Sequence, residues 1–351
     1  MRALAVIGTR PEAIKLAPVV RALKARGAAC DVCYTGQHLM LVQDIKDFLE
    51  LPTGSIDLPP TGRSLTEMLR RALDFVDFEI GRDKPEYDCV IVQGDTTSAL
   101  AGALAAFHRQ IPVAHVEAGL RTYDLSSPFP EEANRQLIGR LAYWHFTPTR
   151  TATENIFSEP QCLTQTHQVG NTVVDALEWA RDHIEPKPGD YALCTVHRRE
   201  NIERIPDICK AIKRISENID VYVTVHPNPA VTEALEKGLA WQPRAYCFYA
   251  PGYSDFISML SGARIVLTDS GGVQEEAACF NRPCLVLRNN TERTEGIEAG
   301  CAKLVGTDPD RIVAAARELL TDADLYKRMA EAPNPYGDGH AAERIADVLN
   351  G

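Results

Sequence analysis

Short apolar runs bounded by turn residues recur along this chain, and most precede a longer stretch with helical periodicity. Ala3–Ile7 predicts a first strand, and Gly8-Thr9-Arg10-Pro11-Glu12-Ala13 turns into a helix running to about Ala25, with Pro11 suited to a first helical position. Asp31–Thr35, Cys89–Val92, Pro112–Val116 and His145–Pro148 read as further strands. Helices are expected around Leu41–Leu51, over Ser64–Ile80, and over the small-residue stretch Ser98–Phe107, with Pro59-Pro60-Thr61-Gly62 as a loop. Ser64-Leu65-Thr66-Glu67 has the spacing of a capping box. A second series begins near Val169-Gly170-Asn171, with strands at Tyr191–Val196, Val221–Val225, Arg244–Tyr249, Ile265–Thr268 and Pro283–Leu287. A helix opens at Tyr253, and the last one covers Ala341–Leu349. The alternation predicts an α/β fold with parallel sheets, and 351 residues favour two domains.

Composition narrows the classes of partner. With 45% hydrophobic and 24% charged residues the chain can build real cores. A net charge of −11 argues against a nucleic acid partner, although a locally basic cleft can still take a small anion. No apolar run reaches membrane-spanning length, and Met1–Gly8 is too short for a signal peptide and reads as a strand. The ten cysteines are scattered through apolar segments. Cys30 and Cys33 form a C-x-x-C, but in a strand that spacing sends them to opposite faces, and no zinc-type partner pair lies nearby. Reduced thiols in a cytoplasmic protein without a bound metal are the expectation.

Candidate chemistry sits at the carboxyl ends of the strands, where open α/β sheets bind ligands. Arg10 follows the first strand and Lys15 lies about a turn further on, either as a solvated pair or as an anion site facing the crevice. Asp95 and Glu117 end two later strands; each can cap its next helix, or both can converge on one crevice. Glu131, in Ser127-Pro128-Phe129-Pro130-Glu131-Glu132-Ala133-Asn134-Arg135, is either one half of a surface pair with Arg135 or a third carboxylate at the crevice. In the second half His197, His226 and Arg293 follow strand ends. Ser270-Gly271-Gly272 puts two residues without Cβ at a strand-to-helix turn. It reads as a helix cap with Gly272 at the N-cap, or as a phosphate cradle with Glu276 placed to accept from ribose hydroxyls. No G-x-G-x-x-G follows the first strand, which weakens a dinucleotide reading. Carboxylates concentrate in the first half and cations with the glycine turn in the second, the layout of a cleft enzyme.

Taken together, these motifs resemble the non-hydrolysing UDP-N-acetylglucosamine 2-epimerases over nearly the whole chain. The resemblance rests on Gly8-Thr9-Arg10-Pro11-Glu12, Gln93-Gly94-Asp95-Thr96, His115-Val116-Glu117-Ala118-Gly119-Leu120-Arg121 and Phe129-Pro130-Glu131-Glu132. It continues in Thr195-Val196-His197-Arg198-Arg199-Glu200-Asn201, His226-Pro227-Asn228-Pro229, Asp269-Ser270-Gly271-Gly272-Val273-Gln274-Glu275-Glu276 and Asn334-Pro335-Tyr336-Gly337-Asp338-Gly339. It implies two Rossmann-like domains facing a central cleft, the glycosyltransferase-B architecture. The expected division is 1–169, with 334–351 packing back on it, and 170–333 as the UDP-binding domain.

The resemblance implies that Asp95, Glu117 and Glu131 are the acid/base carboxylates, with His197 beside them in the catalytic set. Arg10, Lys15, Arg135, His226 and Arg293 would bind the sugar-phosphate, Ser270, Gly271 and Gly272 the diphosphate, Phe256 the uracil and Glu276 the ribose. The implied reaction is reversible C2 epimerisation of a UDP-2-acetamido sugar, serving polysaccharide biosynthesis. UDP is eliminated to a 2-acetamidoglucal and added back, with no cofactor, by a cytoplasmic homodimer. The alternatives are a hydrolysing 2-epimerase, a glycosyltransferase of the same fold, and a non-catalytic nucleotide-sugar sensor. The chain departs from the family pattern at Thr294, where a proline is usual, and at Gly300-Cys301, where Gly-Thr is common. After Gln37-His38 the usual Met and Phe fall one residue short, at Met40 and Phe48. In bacterial members that helix helps form an allosteric UDP-N-acetylglucosamine site. The short spacing therefore predicts hyperbolic velocity against UDP-N-acetylglucosamine and no need for that sugar as activator in reverse; a sigmoidal curve would show the second site intact.

Overall fold

The computed structural model describes all residues except 38–44, 57–63, 83–85, 160–164, 250 and 292. The expected helix start at Leu41, the loop from Pro59 to Gly62, and His38, Met40 and Glu292 thus lie outside the described residues. The chain forms two compact units, Met1–Ala176 with Gly337–Gly351, and Leu177–Tyr336. The first crossing falls inside the helix Thr172–Arg181, later than the turn at Val169-Gly170-Asn171. The start of that helix is tied into the first unit: Asp175 accepts the Ala342 N–H at 2.7 Å and the Ala341 N–H at 3.3 Å. It thereby caps the last helix, Ala341–Asn350.

The first unit contains β1 (Arg2–Ile7), β2 (Ala29–Tyr34), β3 (Ser55–Ile56), β4 (Cys89–Gln93), β5 (Val113–Val116), β6 (Trp144–Thr147) and β7 (Gln165–Gln168). All pairings are parallel, in the order β3-β2-β1-β4-β5-β6-β7. A parallel sheet covered on both faces reads as continuous apolar runs, as Ala3–Ile7 and Cys89–Gln93 do. The helix Thr97–His108 lies very close to these strands. A Cβ added at Gly102 would stand 3.0 Å from Val92 Cγ1 and 3.1 Å from Val6 Cγ2. The small-residue composition of that helix therefore sets its depth on the sheet. Cys30 and Cys33 are both buried free thiols of β2. Among the described residues no group of three His, Cys, Asp or Glu side chains could hold a metal, and no helix is long and apolar enough to cross a membrane.

In the second unit lie β8 (Tyr191–Thr195), β9 (Asp220–Val225), β10 (Ala245–Tyr249), β11 (Ile265–Thr268), β12 (Cys284–Val286) and β13 (Ala302–Leu304). They pair in parallel as β10-β9-β8-β11-β12-β13. Counted from its own first strand, this order matches that of the first unit as far as its sixth strand. The helix Ile205–Ile215 turns Ile205, Ile208, Cys209, Ile212 and Ile215 into the core. That spacing is one face of a 3.6-residue period, and each such aliphatic side chain contributes about 1.5–3 kcal/mol on burial. In both units the loops after two neighbouring strands diverge to opposite sides, β1 from β4 and β8 from β11. Such switch points are where doubly wound sheets place ligands.

Two histidines are buried in the first sheet. His115 of β5 is in register with His145 of β6, their ring centroids 6.4 Å apart. Burial, with the Arg121 charge adding to it, pushes His115 down to about 3 and His145 down to about 4. In the unfolded chain both protonate near the ordinary 6.5. Between those values the unfolded state holds more protons, so their contribution is present above 6.5 and lost as the pH falls through the folded values. In urea denaturation, wild type should lose up to about 2 kcal/mol more than His145→Gln between pH 7 and pH 5. Equal losses would show that His145 protonates alike in both states.

Candidate active site

At the first unit's switch point, β1 ends in Gly8-Thr9 and the helix Arg10–Ala25 begins. Glu12 is fully buried in its first turn. It accepts the Gly8 N–H at 3.0 Å, the Thr9 N–H at 2.6 Å, the Thr9 hydroxyl at 2.8 Å and, from the loop after β4, the Thr96 hydroxyl at 2.6 Å. Burial pushes its carboxyl up to about 7 against the pull of these donors. One turn on, Lys15 is buried and donates to Glu117 Oε1 at 2.6 Å, so it is not a solvated surface lysine. Arg10, at the helix start, is partly exposed.

Glu117, just beyond β5, is left-handed at φ 61°, an uncommon state for a residue with a Cβ. The chain on either side accounts for it: Val116 accepts the Gly94 N–H at 3.0 Å, and the Ala118 N–H bonds Phe146 O at 3.0 Å. One neighbour is held by the loop after β4 and the other by β6, so Glu117 must make the turn. Its carboxylate accepts from Lys15, from Gln93 Nε2 and, at 3.4 Å, from Asn171 Nδ2. Asp95 accepts from Arg135 Nη2 at 2.5 Å, and Asn134 donates to its backbone carbonyl at 2.9 Å. Burial raises the Asp95 carboxyl above its usual range; Arg135 opposes this, while the charges of Glu117 and Glu131 add to it. Glu131 opens the helix Glu131–Leu141 and is partly buried. Arg135 turns to Asp95 and, at 3.4 Å, to Glu132. Glu132 is fully buried and takes the Thr122 and Tyr123 N–H groups at 3.0 and 3.1 Å. Although burial opposes it, these bonds and that from Gln136 hold its carboxyl below the ordinary value.

The second unit's switch point is built on Asp269, fully buried after β11. It accepts the His197 N–H at 3.1 Å, the Arg198 N–H at 3.0 Å and Asn201 Nδ2 at 3.0 Å, all from the chain after β8. His197 stacks on His226 with centroids 5.3 Å apart and 23° between planes. Burial lowers both imidazoles; Asp269 opposes this for each, and His226 and Arg198 lower His197 further. The Asn228 N–H bonds Nδ1 of His226, which puts the proton of a neutral His226 on Nε2.

The helix Gly271–Cys279 starts on the glycine turn with Ser270 as its N-cap, so the cap falls two residues before Gly272. Ser270 is extended there, its own N–H bonded to Thr268 Oγ1 at 3.0 Å. A Cβ added at Gly272 would meet nothing within 4 Å. The first N–H groups of a helix have no intrahelical acceptor, and here they open onto unfilled space at Gly272. Glu276 and Phe256 are buried, and Arg293 donates to the buried Glu275 at 2.5 Å. Thr294 is the first residue of the helix Thr294–Ala299, which Gly300 ends in a left-handed cap. Each unit thus gathers its own share of the expected residues. Sequence reasoning missed the buried Glu12, Glu132, Asp269 and Glu275, and the amides of Gln93 and Asn171. Local signals existed for Glu12, three residues after Thr9 in capping-box spacing, and for Glu132 and Glu275 as acids near helix starts, but none of them announced the partners found.

Two doubly wound units, each with a polar set at its switch point, define a two-unit parallel α/β protein. The family model described as UDP-N-acetylglucosamine 2-epimerase matches residues 21–350. The UDP-N-acetylglucosamine 2-epimerase of Escherichia coli K12 is 43% identical over 371 aligned positions, covering 99% of this chain and 98% of that protein. That of Bacillus subtilis 168 is 43% identical over 363 positions, covering 99% and 95%. The crystal structure of the Neisseria meningitidis enzyme bound to UDP-GlcNAc superposes with a TM-score of 0.91 at 35% identity, covering 100% of both chains. The chain belongs to the UDP-N-acetylglucosamine 2-epimerase family. Its fold is the two-unit, glycosyltransferase-B type of these structures.

The Asp269 arrangement makes a direct prediction. Asp269→Asn turns an amide N–H toward backbone donors, and an unsatisfied buried group costs about 1–3 kcal/mol. The variant should lose that much stability in urea, and the His197 and Arg198 amides should exchange faster in deuterated buffer. Unchanged exchange at both amides would show that the loop does not depend on Asp269.

Proposed function

We propose that this protein catalyses reversible C2 epimerisation of a UDP-2-acetamido sugar, UDP-N-acetylglucosamine to UDP-N-acetylmannosamine. The reaction eliminates UDP to a 2-acetamidoglucal and adds it back. The observation that carries this reading is the gathering of Asp95 and Glu117 at neighbouring strand ends, each held by its own cation. Glu117 accepts from the Lys15 ammonium at 2.6 Å and from two amides, and Asp95 accepts from the Arg135 guanidinium at 2.5 Å while burial raises its carboxyl above the usual range. Two carboxyls oriented separately at adjacent strand ends suit opposed proton transfers.

The chemistry requires such a pair. The C2 proton of an acetal sugar is not acidic, and it becomes removable only as the C1–O bond to the diphosphate breaks. In elimination, a base takes the C2 proton, its C–H electrons form the C1–C2 double bond, and UDP leaves with the bonding pair from C1. In re-addition a proton reaches C2 on the other face and a diphosphate oxygen returns to C1. Inversion therefore needs two proton-transfer groups, supplied in this reading by Asp95, Glu117 and Glu131. Every step moves a proton or the C1–O bonding pair and none transfers a hydride, so the scheme requires no nicotinamide.

Charge that develops on the departing diphosphate needs fixed donors. The N–H groups of Gly271 and Gly272 and the Ser270 hydroxyl fill that role here, with Arg10, His197, His226 and Arg293 as further donors, Glu276 on the ribose and Phe256 by the uracil. Lys15 and Arg135 act on the sugar side by holding Glu117 and Asp95. The homodimer, the cytoplasmic setting and a product supplied to polysaccharide biosynthesis belong to the same reading.

Phosphorus and proton NMR with UDP-N-acetylglucosamine in D₂O should show a second UDP-sugar, with deuterium at C2 in both epimers. Free N-acetylmannosamine with UDP would instead mark a hydrolysing enzyme, and full retention of C2 hydrogen in the product would sink the elimination route. Asp95→Asn, Glu117→Gln and Glu131→Gln should each lower kcat by about 10²–10⁴-fold while still binding substrate.

A further inference from the structure

We propose that Glu12 is a positioning residue for this reaction, a buried carboxylate that sets Asp95 relative to the Lys15–Glu117 pair by tying the loop after β1 to the loop after β4. The inference rests on the epimerase reading above, in which Asp95 and Glu117 transfer protons.

The two oxygens of Glu12 do different work. Oε2 takes the Gly8 N–H, the Thr9 N–H and the Thr9 hydroxyl, which completes the cap of its own helix. Oε1 takes the Thr96 hydroxyl at 2.6 Å, across 84 positions of chain. A cap alone would not need that second bond. Thr96 follows Asp95 directly, and its Oγ1 also accepts the Ala99 N–H at 3.0 Å as N-cap of the helix Thr97–His108. One carboxylate therefore joins the starts of two helices, and Asp95 lies in the loop between the second helix and β4.

The next turn of the helix Arg10–Ala25 carries Lys15, whose ammonium holds Glu117. Glu12 and Lys15 are three residues apart and face neighbouring directions on that helix. The turn acts as a spacer, with Thr96 and hence Asp95 on one arm and Glu117 on the other. Arg135 and Asn134 hold Asp95 from the helix Glu131–Leu141, Gln93 and Gly94 tie the end of β4 to Glu117 and Val116, and Glu12 ties the far side of Asp95, through Thr96, to the helix that carries Lys15. Glu12 itself is fully buried, so its effect on the substrate passes through Thr96 and Asp95.

The test compares kcat and KM for UDP-N-acetylglucosamine, and UDP affinity by calorimetry, among full-length wild type, Glu12→Gln, Thr96→Val, Thr96→Ser and the Glu12→Gln/Thr96→Val double variant. A displacement of about 1 Å in a reacting group can cost on the order of 10²-fold. Glu12→Gln and Thr96→Val should each lower kcat by about 10–10²-fold, with KM and UDP affinity within about threefold of wild type. Thr96→Ser keeps the hydroxyl and should restore kcat, and the double variant should be no slower than the slower single, as for two halves of one contact. If Glu12→Gln does not fold, the contrast of Thr96→Val with Thr96→Ser carries the test. Undiminished kcat in folded Glu12→Gln, or losses that multiply in the double variant, would overturn the inference and leave the epimerase reading standing. A wild-type protein that makes no second UDP-sugar would overturn the reading itself.

Discussion

Each unit places a fully buried carboxylate where its strand order reverses, Glu12 between β1 and β4 and Asp269 between β8 and β11. The need for it is geometric. The loops after the two central strands leave for opposite faces, so their first backbone N–H groups lose strand partners just where water is being excluded. A carboxyl group presents two oxygens with about four lone-pair sites between them. It can satisfy donors from both loops at once, which a neutral amide facing the same N–H groups cannot do fully. Glu12 joins Gly8 and Thr9 to Thr96, and Asp269 joins its own strand end to His197, Arg198 and Asn201. The loops that carry the candidate chemistry are ordered by groups that carry none of it.

That ordering also explains why an unfavourable backbone state persists beside it. A left-handed residue with a Cβ costs roughly 1–2 kcal/mol. Glu117 adopts that state because Val116 and Ala118 are bonded to adjacent loops and strands on either side. The resulting turn aims its carboxylate at Lys15 and Gln93 instead of along the strand. Gly119, at φ 88°, finishes the turn, and a Cβ there would come within 2.1 Å of the Ala152 carbonyl oxygen. The His115-Val116-Glu117-Ala118-Gly119 motif thus has a backbone explanation. His115 bonds the Gly94 carbonyl at 2.8 Å, Glu117 makes the turn, and Gly119 lets the helix Arg150–Ser158 approach.

Where an element is buried on both faces or caps itself, the amino acids announce it. The apolar strands of both sheets, the small-residue helix over Thr97–His108 and the capping serine at Ser64, which takes the Glu67 N–H at 3.2 Å, could all be read from short windows. The elements that escaped are those whose reason lies elsewhere in the fold. β7 is Gln165-Thr166-His167-Gln168, polar in every position, and it is a strand because β6 offers it a ladder at the sheet's edge. β3 and β13 have two and three residues, too few to show a period.

The same division holds for the site. Residue types and their order determined that this is an α/β chain with two nucleotide-type sheets, that acids gather at the strand ends of one half, and that a glycine turn opens a helix in the other. Those are local properties, set by side-chain volume, backbone freedom and charge within a few positions. Which groups meet was decided only by tertiary structure. Lys15 belongs to Glu117, 102 positions away, Arg135 turns from its helical neighbour Glu131 to Asp95, and Asp269 spends its lone pairs on a loop 68–72 positions earlier. A hydrogen bond or ion pair falls off within a few ångströms, and in a parallel sheet residues that close in space come from strands separated by whole helices.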